Sequence, residues 1–346
     1  MHMPQRQNTA TQMVSQENLK DLRPITFNMK LKGIVNANKT SAVKLNKIVS
    51  FNTQDIREKT LFLGFTQLKE LGYHIKDPYN FKEKHMKALA LHWEKNGLTP
   101  ATIQTRFSVF RVFCKWINKE GLIGSCEDYV ADKASAKRVT VALEDKSWCA
   151  QDIDVEKIID KVLQEDYRVA LYIALAYTFG LRLRECYMLK PHRSDHAIYY
   201  LIEEGTKGGG RIRAVPIETD DQRSVVEAAK DFAEKITDHI GYPGLSLSQT
   251  RERVRYILKK CGITERKLGV TFHGLRHEFA NDFFERHAGF ESPVRGGPTE
   301  RSEAGDLARL QTSSALGHNR MSITSAYLGA LLRSIKLRRE ADREKV

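Results

Sequence analysis

The chain has 346 residues, and 56 Lys and Arg against 43 Asp and Glu give a formal net charge of +13. That length fits two domains, and 41% hydrophobic residues supply apolar material for two cores, which excludes a globally disordered chain. The basic balance, with a pI near 9.4, favours an anionic partner, with nucleic acid ahead of a membrane surface.

Residues 1–45 are polar and weakly periodic and read as a flexible extension. Lys20, Arg23, Lys30, Lys32, Lys39 and Lys44 outnumber Glu17 and Asp21 there, so the segment is either a DNA-contacting arm or a plain disordered terminus. Gln5, Arg6, Gln7 and Asn8 precede no apolar stretch, so no secretory signal is expected. From residue 46 the pattern turns helical. Leu61, Phe65, Leu68 and Leu71 recur at helical spacing up to Gly72, and Met86, Leu89 and Trp93 continue the pattern up to Asn96 and Gly97. Thr99 is a good N-cap with Pro100 in the first helical position, and the helix that follows places Ile103, Phe107, Phe110, Cys114 and Ile117 on one face. A helical domain over 46–130 is therefore expected. Between residues 47 and 125 there are 13 basic and 7 acidic residues, a surplus that permits phosphate contacts.

Residues 131–150 mix charges with small residues and read as an inter-domain linker. A second domain is expected over 151–346. It opens with a helix over 154–163. The apolar run 169–179, bracketed by Arg168 and Arg182, is too short for the ~18 residues of a membrane helix and reads as a buried helix ending at Gly180. Strands over 196–203 and 211–217 flank a glycine-rich turn, with Ile212, Ala214 and Pro216 alternating with Arg211, Arg213 and Val215. Helices follow to the C-terminus, interrupted by a Gly- and Pro-rich loop over 288–305.

Several chemistries drop out. Lys207 followed by three glycines lacks the P-loop order, and His277-Glu278 is followed by Asn281 where a second zinc histidine would stand. Five dispersed cysteines with no C-x-x-C pair argue against a zinc cluster or a disulfide framework and for a reducing cytosol. What remains is scattered. Arg182 follows a core helix, where it could simply cap that helix. His273 and Arg276 share a helix face, where His273 could be a core histidine. Lys207 could be an exposed hairpin lysine, His318 follows Leu316-Gly317, and Tyr327 could be one of twelve packing tyrosines.

Taken together, G-L-R-L-R-E (180–185), G-T-K-G-G-G-R-I-R-A-V-P-I (205–217), H-G-L-R-H (273–277), L-G-H (316–318) and A-Y-L (326–328) resemble the ordered signature boxes of the tyrosine recombinase, or phage-type integrase, family. The resemblance runs over about residues 151–332 and implies a mainly α catalytic domain with a small β-sheet (α+β), preceded by an all-α SAM-like core-binding domain. It implies that Arg182 and Arg276 clamp a scissile phosphate with His318, that His273 assists proton movement, and that Lys207 protonates the leaving 5′-oxygen. Tyr327 matches the nucleophile, Glu185 the acidic support of the first arginine, and His277 a structural support. Thr102, Gln104, Arg106, Arg111 and Lys115 are the expected DNA contacts of the first domain. No metal or cofactor is implied.

The family's chemistry explains these residue types. Attack on a phosphodiester concentrates charge on the non-bridging oxygens, where guanidiniums act bidentately. A phenol with a reference pKa of about 10 needs cationic neighbours or a base to attack. The resemblance further implies a site-specific recombinase of the kind a mobile element encodes, acting on double-stranded DNA attachment sites as a tetramer, with accessory DNA-bending or directionality proteins and a cytoplasmic, nucleoid-associated location. A type IB topoisomerase-like enzyme and an inactive DNA-binding homologue are the alternatives. The interval between Arg276 and His318 exceeds the compact family pattern, and the excess falls in the 288–305 loop. Arg295 and Arg301 there suggest either an exposed insertion able to touch DNA or a neighbouring protomer, or a neutral surface loop. Beyond Tyr327, Leu331, Leu332, Ile335 and Leu337 form an amphipathic tail that either docks on an adjacent subunit or folds back.

Overall fold

Hydroxyls and carboxylates placed one residue ahead of apolar stretches start most of the helices, because each accepts a hydrogen bond from an otherwise orphaned N–H. The computed structural model describes residues 26–40, 48–206, 211–318 and 320–331. The chain divides into two units, Met1–Val139 and Thr140–Val346.

The first unit is helical: α1 (Phe27–Asn38), α2 (Phe51–Glu70), α3 (Glu83–Lys95) and α4 (Pro100–Trp116), with 3-10 turns at Cys126–Asp128 and Lys133–Ala136. Thr99 Oγ1 accepts from the Thr102 amide at 3.4 Å, and Pro100 takes the first position of α4, as its sequence predicts. The expected apolar face of α4 is buried against Leu61, Phe65 and Leu68 of α2 and Met86, Leu89 and Trp93 of α3. Leu71 departs from the pattern and is 39% exposed. Phe81 stacks on Phe110 with centroids 5.2 Å apart, and the Trp93 indole N–H donates to Gln67 Oε1 at 2.8 Å, so this core's large polar-tipped ring is satisfied.

Two expectations for this part of the chain are corrected. The 1–45 extension contains a structured helix. In α1, Leu31, Ile34 and Val35 are buried in the first unit's core, and Lys30 pairs with Asp77 at 2.6 Å. Three apolar residues on one turn of a lysine-rich segment gave too weak a period to stand out. Residues 1–25 and 41–45 lie outside the described residues. The 131–150 segment is also less of a linker than its composition suggests. Glu94 accepts from the Ala131 and Asp132 amides at 2.8 Å each, Ala136 is buried in the first unit, and Trp148 is fully buried in the second.

The second unit is mainly α with one small sheet. It runs α5 (Val155–Leu163), α6 (Tyr167–Phe179), α7 (Leu183–Met188), α8 (Pro191–Ser194), β1 (Tyr199–Ile202), β2 (Arg213–Pro216), α9 (Asp220–Phe232) and α10 (Leu247–Lys260). It continues with α11 (Glu265–Leu268), α12 (Phe272–Ala288), α13 (Glu303–Ala315) and α14 (Ser325–Leu328). Asp166 caps α6, accepting from the Arg168 and Val169 amides at 3.1 and 3.4 Å. The core gathers Leu175 and Phe179 of α6, Phe279, Phe283 and Phe284 of α12, and Ala308 and Ala315 of α13. Each such large side chain removed from water contributes about 1.5–3 kcal/mol.

The strands are shorter than expected and antiparallel, in register from Tyr199 opposite Pro216 to Ile202 opposite Arg213. Their alternation turns Arg213 and Val215 inward and leaves Ala214 and Ile212 exposed. The 288–305 interruption is not an exposed insertion at Arg295. That side chain is 15% exposed and bonds Asp145 at 2.8 Å, Asp282 at 2.6 Å and Glu285 at 3.1 Å. Arg301 pairs with Asp306 at 2.5 Å, and Ser302 caps α13. The amphipathic tail beyond Leu331 lies outside the described residues.

Candidate active site

The site forms where α6 ends. Gly180 takes φ +60°, and a Cβ there would stand 2.4 Å from the Phe279 ring, so the chain leaves α6 through a turn open only to glycine. The turn delivers Arg182 to the N-cap of α7. Glu185, in the first turn of α7, reaches back: one carboxylate oxygen accepts from the Arg182 amide at 2.8 Å and the other from Arg182 Nη1 at 2.6 Å. Glu185 is fully buried, whereas the Arg182 side chain is 25% exposed, so its guanidinium is held from within and presented outward.

Sequence reasoning assigned no role to Arg213. From β2 its Nη1 and Nη2 donate to the two oxygens of Glu185 at 3.0 and 2.6 Å. The alternation alone did not single it out, since Arg213 is in phase with buried Val215 but also with exposed Arg211. Burial alone would raise the Glu185 carboxyl. Hydrogen bonds from Arg213 and the charges of Arg213, Arg276 and Arg182 outweigh it and hold the group down to about 2.

α12 carries the next three groups. Arg276 is completely buried and donates to the carbonyl oxygens of Gly180 and Leu316 and, through Nε, to Tyr327 Oη at 3.3 Å. Its Nη1 lies 4.0 Å from Glu185. Burial lowers this arginine to about 10, which leaves it cationic at neutral pH. Tyr327, on α14, is enclosed by imidazoles: His277 at a centroid distance of 4.7 Å, with His273 and His318 each at 5.9 Å. Burial pushes all three histidines down to about 4, so they are neutral at pH 7. His277 Nδ1 and His318 Nε2 are buried without a hydrogen-bond partner among the described residues. The His318 amide donates to Ser313 O at 2.8 Å, which anchors its turn to the end of α13.

Six of the eight catalytic and supporting residues expected from sequence, Arg182, Glu185, His273, Arg276, His277 and His318, thus converge with a seventh, Tyr327. The eighth, Lys207, lies outside the described residues, between β1 and β2. A phenol beside a buried guanidinium, flanked by a second, outward-facing guanidinium and neutral imidazoles, is equipped to hold an anionic tetrahedral group and to attack it.

Parts of the chain are similar to known proteins. Residues 37–123 match the family model described as phage integrase, N-terminal. The tyrosine recombinase XerA of Pyrococcus furiosus is 32% identical over 141 residues, covering 38% of this chain and 46% of that relative. The tyrosine recombinase XerC of Xanthomonas axonopodis pv. citri is 22% identical over 252 residues, covering 71% of this chain and 73% of that one. The chain is thus similar, over part of its length, to tyrosine recombinases. The match therefore spans under half the length of the first relative and about three quarters of the second. The fold is shared with a lambda integrase dimer bound to a COC' core site, at 15% identity and TM-score 0.52, covering 88% of this chain and 77% of that one.

As to the core-binding residues expected of a tyrosine recombinase, all five lie on α4 and each has a partner inside the first unit. Thr102 Oγ1 lies 2.9 Å from Thr99 Oγ1, and Gln104 Nε2 donates to Ala136 O at 2.5 Å. The Arg106 guanidinium sits 5.2 Å from the Trp93 ring centroid, Arg111 Nε donates to Gly124 O at 3.1 Å, and Lys115 pairs with Glu120 at 3.1 Å. Arg111 and Lys115 are nonetheless exposed.

Proposed function

We propose that the protein is a site-specific DNA recombinase that cleaves and rejoins strands through a 3′-phosphotyrosyl intermediate. The observation that carries this reading is the contact of Tyr327 Oη with Arg276 Nε, beside Arg182 held on Glu185. Tyr327 Oη attacks the scissile phosphorus as its proton passes to the neutral imidazole of His273, and a phosphotyrosyl bond forms as the bond to the 5′-oxygen breaks. Lys207 gives the leaving oxygen its proton, and His273 assists proton movement at the phosphate. Arg182, Arg276 and His318 bind the non-bridging oxygens, where charge grows in the transition state. Glu185 and His277 support the arginine and the tyrosine ring. Rejoining runs the steps backwards, with a 5′-hydroxyl displacing tyrosine. The phosphotyrosyl ester conserves the bond energy of the DNA ester, so the cycle needs no nucleotide triphosphate.

The biological setting belongs to the same proposal: a mobile element's integrase, acting as a tetramer on paired duplex attachment sites, with accessory DNA-bending or directionality proteins, in a nucleoid-associated cytoplasmic location. Thr102, Gln104, Arg106, Arg111 and Lys115 are proposed DNA contacts, with Arg111 and Lys115 exchanging their present partners for phosphates. No helix among the described residues is long and apolar enough to cross a membrane.

A nicked duplex bearing a site selected by the protein from a random pool tests the reading. Wild type is expected to give a covalent adduct on a denaturing gel. Tyr327→Phe is expected to give none while binding the duplex with nearly unchanged affinity. An adduct formed by Tyr327→Phe would remove Tyr327 from the nucleophile's role.

A further inference from the structure

One carboxylate in the site serves three guanidiniums. Glu185 is fully buried, and Arg182 and Arg213 bond both its oxygens while Arg276 stands 4.0 Å away. The three arginines differ in what they can reach. The Arg182 side chain is 25% exposed and faces outward, whereas that of Arg213 is 2% exposed. Its stem is packed under the turn that bears His318, with Cδ 3.0 Å from where a Cβ on Gly317 would stand. Arg276 is as enclosed but bonds Tyr327 Oη through Nε, whereas both Nη groups of Arg213 are spent on Glu185, so Arg213 acts through that carboxylate.

The charge of Arg213 still matters to a substrate. A carboxylate paired with Arg182 alone would cancel that arginine's field at the place where an anionic phosphate has to bind, and the low dielectric of a buried pair would make the cancellation strong. A second, inaccessible cation on the same carboxylate removes the conflict. Glu185 then fixes Arg182 in place by hydrogen bonds while its charge is offset by Arg213. We propose, as a deepening of the recombinase reading on which it rests, that Arg213 is a positioning residue that neutralises Glu185 and so leaves Arg182 its positive field for the scissile phosphate. The same fork ties β2, and with it the base of the hairpin, to the first turn of α7.

The test uses the full chain and the nicked duplex described above, and compares wild type with Arg213→Met and with Glu185→Gln/Arg213→Met. Cleavage rate constants are taken at saturating protein, duplex affinities are measured separately, and a wild type that forms no adduct would defeat the recombinase reading before this one is reached. Arg213→Met is expected to slow cleavage on the order of 10²-fold, the scale of losing one transition-state donor, with duplex affinity held within about threefold. Removing the carboxylate charge as well is expected to restore the rate to within about tenfold of wild type. A double variant slower than that would overturn the proposal, because Arg213 would then do more than offset Glu185. So would an Arg213→Met variant that loses affinity in place of rate. If Arg213→Met alone does not fold, the double variant, which buries no unpaired carboxylate, decides on its own by the same tenfold criterion.

Discussion

Glu185 is the residue on which the site's electrostatics turn. It accepts four hydrogen bonds, two from Arg182 and two from Arg213. Breaking a buried ion pair by removing one partner costs about 3–5 kcal/mol, because the other charge is left without compensation. Glu185→Ala is therefore expected to lower unfolding free energy by about 3 kcal/mol or more in urea titrations, and a change under about 1 kcal/mol would mean that the network contributes little. The histidines set a pH dependence. Neutral in the folded site at about 4, His273, His277 and His318 take up protons in the unfolded chain below their ordinary 6.5. Unfolded chains thus bind more protons between pH 6.5 and 4, and stability falls as pH drops through that window. Glu185, depressed to about 2 from 4.5, acts in the same direction below pH 4.5. The thermal midpoint should be flat between about pH 7 and 8 and decline below 6.5, and His277→Gln should flatten that decline. An unchanged slope in the variant would contradict the burial argument for His277.

At the scale of elements, caps and apolar faces were readable because each is a local signal. Thr99-Pro100 starts α4, Gly180 ends α6, and Ile103, Phe107, Phe110 and Cys114 turn inward as their spacing requires. Motif order made the site legible too, bringing Arg182, His273, Arg276, His318 and Tyr327 to one place from four separate stretches. What stayed hidden depends on partners distant in sequence. Arg213 reads as a surface residue until β2 faces Glu185. Arg295, in a loop rich in glycine and proline, reads as exposed until Asp145, Asp282 and Glu285 surround it. Trp148 looks like part of a linker until its indole N–H donates to Thr271 O at 2.8 Å and its amide reaches Glu278 at 3.1 Å. Arg295 and Trp148 together pin residues 145–148 to α12, the helix that carries His273 and Arg276. Arg295→Ala is expected to cost about 3 kcal/mol in urea unfolding, near the low end for a broken buried pair. A loss under about 1 kcal/mol would show that Trp148 holds the segment unaided.

For the whole molecule, the surplus of 13 positive charges bears on association and not on fold. On the proposed reading, contacts to DNA phosphates release counterions on binding, so duplex affinity should weaken by at least about tenfold between roughly 50 and 200 mM salt. An affinity independent of salt, measured by fluorescence anisotropy, would contradict binding through the DNA backbone. Locating the covalent bond tests the chemistry at its decisive step. The adduct trapped on a nicked duplex would be digested with protease and nuclease, and the nucleotide-bearing peptide sequenced by tandem mass spectrometry. The phosphate is predicted on Tyr327 Oη, linked to the 3′ side of the break. A nucleotide carried on any other side chain would remove Tyr327 as the nucleophile, and one attached through its 5′ end would exclude the 3′-phosphotyrosyl intermediate.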